Sequence, residues 1–230
     1  MHKGEYRGIE ADSQKRKILI LGESHHIDNE EENSQNKESG IEATYTTDRV
    51  VKGYLADKDR KNRNLYFFHK IAKSFGIDTT LDIEQKIFWE KVYFGNYIDV
   101  LCGVGDCFAE NLLNDDCKRE YYNDELFQFV RNNEIDIICC FSRRVYSKLP
   151  SLTDISEELD SIGNMWLYSK DGKKKTDKID RCIYLPQFSH EHTSESLTKP
   201  LLVYGMLHPS GQYGFNPKNY ANTLSKLIDF

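Results

Sequence analysis

The stretch Leu201-Leu202-Val203-Tyr204-Gly205-Met206-Leu207 runs directly into His208-Pro209-Ser210-Gly211. A short, continuous apolar run of this kind reads as a strand buried on both faces, as in the middle of a parallel sheet. Its carboxyl end delivers an imidazole, a proline that fixes the backbone and a hydroxyl. In open α/β sheets, ligands bind outside the carboxyl ends of the strands. The junction therefore predicts both the type of sheet and the edge that carries the chemistry.

Three further segments fit the same sheet. Lys17 to Gly22 is an apolar run with a charged flank that ends on glycine, and Val92 to Val100 and Ile135 to Phe141 are the other two. Between them lie helical patterns. One starts at Asp48 and reaches Phe75 with a break near Lys58 to Arg63, and others span Asp82 to Glu90, Asp124 to Asn133, Ser142 to Leu149 and Asn216 to Ile228. Cys102 to Lys118 reads as irregular. The polar stretch 23–47 reads as a long surface loop. A Gly172-containing basic turn inside 164–185 predicts a hairpin excursion. The whole chain, 1–230, is expected to form a single α/β domain, a three-layer α/β/α sandwich with a central, mainly parallel four-stranded sheet.

Bulk properties narrow the function. The chain has 230 residues and a formal net charge of -6. Tight grip on duplex DNA usually needs a basic face, because phosphate neutralisation dominates affinity. Basic residues do cluster locally, at Lys58 to Arg63 and Lys170 to Arg181. No apolar run approaches the ~20 residues of a membrane helix, so no membrane partner is expected. The charged amino terminus lacks a signal-peptide core, and the six cysteines lack a disulfide rhythm. A cytoplasmic protein with reduced thiols is the expectation.

The strand ends supply the candidate site. Gly22-Glu23-Ser24-His25-His26 follows the first strand and sets a carboxylate at the sheet edge. His25 and His26 have no neighbours at zinc-like spacing, so neither metal nor cofactor is expected. Asn96 interrupts an aromatic run on the second strand, where its amide can pair with an amide-like ligand edge. Each residue alone also fits a plainer role: a solvated loop carboxylate for Glu23, a backbone-bonding amide for Asn96, a strand cap for His208.

Taken in chain order, Gly22-Glu23-Ser24, Asn96 and His208-Pro209-Ser210 resemble the strand-end motifs of the uracil-DNA glycosylase superfamily. Ile135 to Phe141 followed by Ser142-Arg143-Arg144-Val145-Tyr146 looks like that family's intervening segment, and the likeness spans about residues 17 to 228. The chain departs from the family in three places. Ser24-His25-His26 replaces the usual proline with its following residues. No cysteine precedes Cys102, so the iron–sulfur cluster of some members is not expected. All five prolines lie at or beyond Pro150, so the proline-rich DNA loops are missing.

The resemblance implies hydrolysis of the N-glycosidic bond of a deaminated or modified base in DNA, a base-excision repair reaction. Glu23 would stabilise the sugar cation and orient water, as carboxylates do in glycoside hydrolysis. His208 would stabilise the departing base anion. Asn96 would read the base, with Tyr97, Phe94 or Tyr45 stacking on it, and Gly22, Ser24, His25 and Ser210 would complete the substrate pocket. The base must leave the duplex stack to enter. Such a mechanism requires Glu23, Asn96 and His208 to converge on one cleft. Two other readings stay open. One is a non-catalytic binder of a free nucleobase, a nucleotide or a protein partner on the same fold. The other starts from Gly-Glu-x-His, which resembles the opening of the erythromycin-esterase and iron-regulated haem-binding hydrolase families, and leaves His208-Pro209-Ser210 unexplained.

Overall fold

The computed structural model describes residues 5–26, 46–56, 66–98, 100–102, 107–150, 165–168, 174–186, 197–209 and 214–228. Within them the four apolar runs all form strands. These are β2 (Ile18–Gly22), β4 (Tyr93–Asn96), β6 (Ile137–Cys140) and β9 (Leu201–Gly205). They pair in parallel in the order β4-β2-β6-β9, with Gly22 opposite Asn96, Ile20 opposite Cys139 and Cys139 opposite Tyr204. Parallel neighbours need long crossovers, which helices supply. Between β2 and β4 run α1 (Thr46–Ala56), α2 (Tyr66–Ser74) and α3 (Asp82–Glu90). Between β4 and β6 run α4 (Cys107–Asn114) and α5 (Asp116–Asn133). The short α6 (Arg143–Tyr146) follows β6, and α7 (Pro217–Leu224) follows β9.

The sheet is wider than four strands. β1 (Tyr6–Arg7) lies antiparallel on β4. On the other side β8 (Lys174–Tyr184) runs antiparallel to β9, and β7 (Met165–Tyr168) pairs with β8, giving seven strands in all. The expected hairpin excursion is thus an extension of the sheet. It covers the edge that β9 would otherwise expose to pairing with other chains. Part of the expected polar loop is also ordered backbone: β3 (His25–His26) pairs in parallel with β5 (Leu101–Cys102) as a separate two-stranded sheet. Residues 27–45 lie outside the described residues.

Two helical expectations need correction. The segment read as irregular contains α4 and the start of α5. Asp115 is the N-cap of α5 and accepts a bond from the Lys118 amide at 3.0 Å. Asp48 is not a cap but sits inside the first turn of α1, where it pairs with Lys52 at 2.6 Å.

Strand alternation sorts the core into two layers. Ile18, Ile20, Phe94, Cys139, Phe141, Tyr204 and Met206 face Val51, Phe68, Phe88 and Tyr220 of α1, α2, α3 and α7. Leu19, Leu21, Tyr93, Ile138, Cys140 and Val203 face Ala109, Leu126 and Val145 of α4, α5 and α6. The sandwich is therefore three-layered. Each such side chain, once fully buried, contributes about 1.5–3 kcal/mol relative to an exposed position. No helix among the described residues is long and apolar enough to cross a membrane.

The core is rich in phenols and thiols, which has a consequence for pH. Burial pushes the Tyr6 hydroxyl and the Cys140 thiol up to about 12, and raises Tyr97, Cys139 and Tyr184 as well. Unfolded, such groups ionise near 9.0 for cysteine and 10.0 for tyrosine. Above those values the unfolded chain binds fewer protons than the folded one, so stability falls as pH rises. Urea unfolding followed from pH 7 upward is expected to show a midpoint that holds to about pH 9 and then declines steadily. A midpoint flat to pH 11 would contradict this burial.

Candidate functional site

The carboxyl ends of the four parallel strands place Gly22, Asn96, Cys140 and Gly205 along one edge. Numbered by chain order, the central strands run 2-1-3-4. The direction of winding therefore reverses between β2 and β6, and a crevice opens at such a switch point. Glu23 directly follows β2, Ser142 lies two residues past the end of β6, and the two touch.

Glu23 is only 4% exposed, and its carboxylate is fully engaged. Ser142 donates its hydroxyl to Oε2 at 2.6 Å, and Arg144 donates from Nη2 to Oε1 at 2.5 Å and from Nε to Oε2 at 3.3 Å. Ser142 is also the N-cap of α6, accepting from the Val145 amide at 3.2 Å. This forked geometry is the strong form of an arginine–carboxylate pair. The buried thiols alongside are neutral. Burial, reinforced by the Glu23 charge, holds Cys102 and Cys140 above the ordinary thiol range, with Ser24 hydrogen-bonding Cys102 in partial opposition.

Asn96 and His208 form a different wall. Asn96 extends the face of Phe94, packed over Gly22. A methyl group on Gly22 would overlap Asn96 Oδ1 and lie 3.4 Å from its Cγ and 3.5 Å from the Phe94 ring, so only glycine leaves the amide this room. Asn96 is 8% exposed, and its Nδ2 has no hydrogen-bond partner among the described residues. A buried amide donor of this kind is the sort of group that a bound acceptor would satisfy. Phe67 of α2 closes the wall, with its ring 6.2 Å from that of Phe94 and 5.3 Å from the imidazole of His208. Lys70, one turn further along α2, donates to the Pro209 carbonyl at 2.6 Å.

The three expected catalytic and recognition residues therefore do not share one wall. Alternation sends Glu23 out on the face of Leu19 and Leu21, toward α6, and sends Asn96 out with Phe94 toward α2. Asn96 and His208 lie on the α2 side of the sheet, with the Phe94 and Phe67 rings between them and β2 and β6 separating their strands, while Glu23 is held by Ser142 and Arg144. Tyr97 is not a ligand-stacking residue. It is 0% exposed in the α5 layer, packs on Tyr122 and donates its hydroxyl to Asn123 Oδ1 at 2.9 Å. Ser24 is half-buried on the link from β2 to β3. His25 is placed by its backbone in β3, opposite Leu101, and its side chain lies outside what is described, as do Ser210 and Tyr45. Among the described residues no group of three or more His, Cys, Asp or Glu side chains could hold a metal ion.

Sequence reasoning missed Phe67, Lys70, Ser142 and Arg144. For the last two a signal existed, since a serine followed by two arginines directly after a buried strand marks a capped helix at a strand end. Phe67 and Lys70 belong to an ordinary helical pattern far from the His208 loop in sequence, and nothing local distinguishes them. A further close contact lies on the Glu23 side. The Tyr146 ring of α6 lies against Gly205 so closely that a methyl group there would overlap it. No protein-family model matches the chain, and no curated protein matches it in sequence.

Proposed function

We propose that this is a uracil-DNA glycosylase-like protein whose sheet edge recognises a nucleobase, and that the ligand-free arrangement described above is a binding site before it is a hydrolytic one. The observation that carries the reading is the buried Nδ2 of Asn96, unpartnered among the described residues, on the same side of the sheet as the Phe94, Phe67 and His208 rings. A flat ring bearing a carbonyl matches that wall. The apolar faces of the base meet the aromatic side chains, and its carbonyl accepts from Asn96. Pockets of this type, mostly apolar with a few aimed polar groups, are what small planar ligands require.

Binding of uracil and of a uracil-containing single-stranded oligonucleotide to the full chain, measured by calorimetry, tests this. Asn96→Asp keeps the shape and removes the donor. It is expected to weaken binding by about tenfold or more, the worth of one buried hydrogen bond left unmade. If the unaltered chain binds no base and no base-bearing oligonucleotide, the reading fails.

The hydrolytic version rests on the place of Glu23 at the switch point of the same sheet edge, although its carboxylate leaves on the face opposite Asn96. Arg144 and Ser142 hold that carboxylate, so hydrolysis requires the ion pair to open and the carboxylate to turn toward the Asn96 side when substrate enters. Release of free base from uracil-containing DNA would establish it. Glu23→Gln and His208→Ala are then each expected to slow release by about tenfold or more. Base binding with no release from any deaminated or modified substrate assigns the protein as a non-catalytic binder.

A further inference from the structure

Helical spacing sets Phe67 and Lys70 on one face of α2, and that face meets the loop leaving β9. Phe67 packs its ring 5.3 Å from the imidazole of His208, at an interplanar angle of 37°. Lys70 donates from Nζ to the carbonyl of Pro209 at 2.6 Å, across 139 residues of chain. Its ammonium also lies 5.5 Å from the centre of the Tyr66 ring. Pro209 is buried and its φ is fixed by the ring, while a residue before proline is confined to extended backbone. Holding the Pro209 carbonyl therefore holds the peptide planes on the carboxyl side of His208. With Phe67 against the ring, few torsions remain to the imidazole.

We propose that Lys70 is the positioning residue of this site, fixing the His208-Pro209 loop so that the imidazole stays on the Asn96 wall. The proposal rests on the nucleobase reading for its functional meaning, though not for its structural test. A charge-assisted bond to a carbonyl is stronger and shorter than a neutral one, which suits a contact that must hold a loop against thermal motion. Positional control of this sort matters because a displacement of about 1 Å at a reacting group can cost on the order of a hundredfold in rate.

The test compares the full chain with Lys70→Met, which keeps the length and loses the donor, and Lys70→Arg, which keeps a charged donor. The imidazole resonances are recorded by NMR, and His208 is identified by the signal lost in His208→Gln. In Lys70→Met the His208 resonance is expected to move and lose the ring-current contribution of Phe67, with the other assigned histidines in place. Lys70→Arg is expected to restore it. If Lys70→Met fails to fold, Lys70→Gln, with its shorter amide, is expected to give the same displaced signal. An unmoved His208 resonance in a folded donor-less variant overturns the proposal, and so does an arginine that restores nothing. With a base-releasing substrate, Lys70→Met is expected to lower kcat by about tenfold or more with KM nearly unchanged. Should the unaltered chain neither bind nor release a base, the nucleobase reading falls, and the NMR comparison still decides the role of Lys70.

Discussion

If the sheet edge binds a base as proposed, Gly22→Ala is expected to weaken that binding while the fold stays standing. The added methyl overlaps Asn96 Oδ1 and also lies 3.4 Å from its Cγ and 3.5 Å from the Phe94 ring, so the amide must turn to make room. Overpacking of this kind costs typically about 1–3 kcal/mol of stability. The affinity loss is larger in its consequence, because the donor of Asn96 is turned off its line. Binding of a base is expected to fall by about tenfold or more, each tenfold step being about 1.4 kcal/mol. The decisive comparison is the double variant. Adding Asn96→Ala to Gly22→Ala should weaken binding no further, since residues in contact are not additive. A full second loss in the double variant would show that Gly22 acts by some other route.

The second large effect lies on the opposite wall. Arg144→Ala strips the partner from a carboxylate that is only 4% exposed, while Arg144 itself is 38% exposed. Breaking a fully buried pair costs about 3–5 kcal/mol, whereas a surface pair is worth about 1 kcal/mol at most. Water reaches the arginine side of this pair, so a loss of about 2–3 kcal/mol is expected from urea unfolding, between those limits. Glu23→Gln in the same chain removes the stranded charge and should recover part of the loss. Should Arg144→Ala cost less than about 1 kcal/mol, the pair is a surface decoration and Glu23 is free to act without it.

Much of this architecture is legible in the sequence, and the reason is physical. Strands buried on both faces must be apolar throughout, so Lys17 to Gly22 and Leu201 to Leu207 declare themselves by composition alone. Their shared carboxyl edge follows from the parallel arrangement, and with it the places of Asn96 and His208. Direction is harder to read than position. Period-2 alternation puts Glu23 with Leu19 and Leu21, and Asn96 with Phe94, but the resemblance to a catalytic set draws attention to the edge they share rather than the faces they leave by. The same alternation puts Tyr97 in the α5 layer with Tyr93. Partners that arrive from distant helices, Phe67 and Lys70, carry no local mark. Cys102 to Lys118 reads as irregular for a related reason, because a capping residue such as Asp115 has the same chemistry as a loop residue.

The close seat of the Tyr146 ring at Gly205 pins α6 against the end of β9 on the face that carries Glu23. Arg144 and Tyr146 belong to the same turn of that helix, so the glycine that seats the ring also sets where the Glu23 partner starts from. A larger residue at position 205 would displace the arginine without touching it.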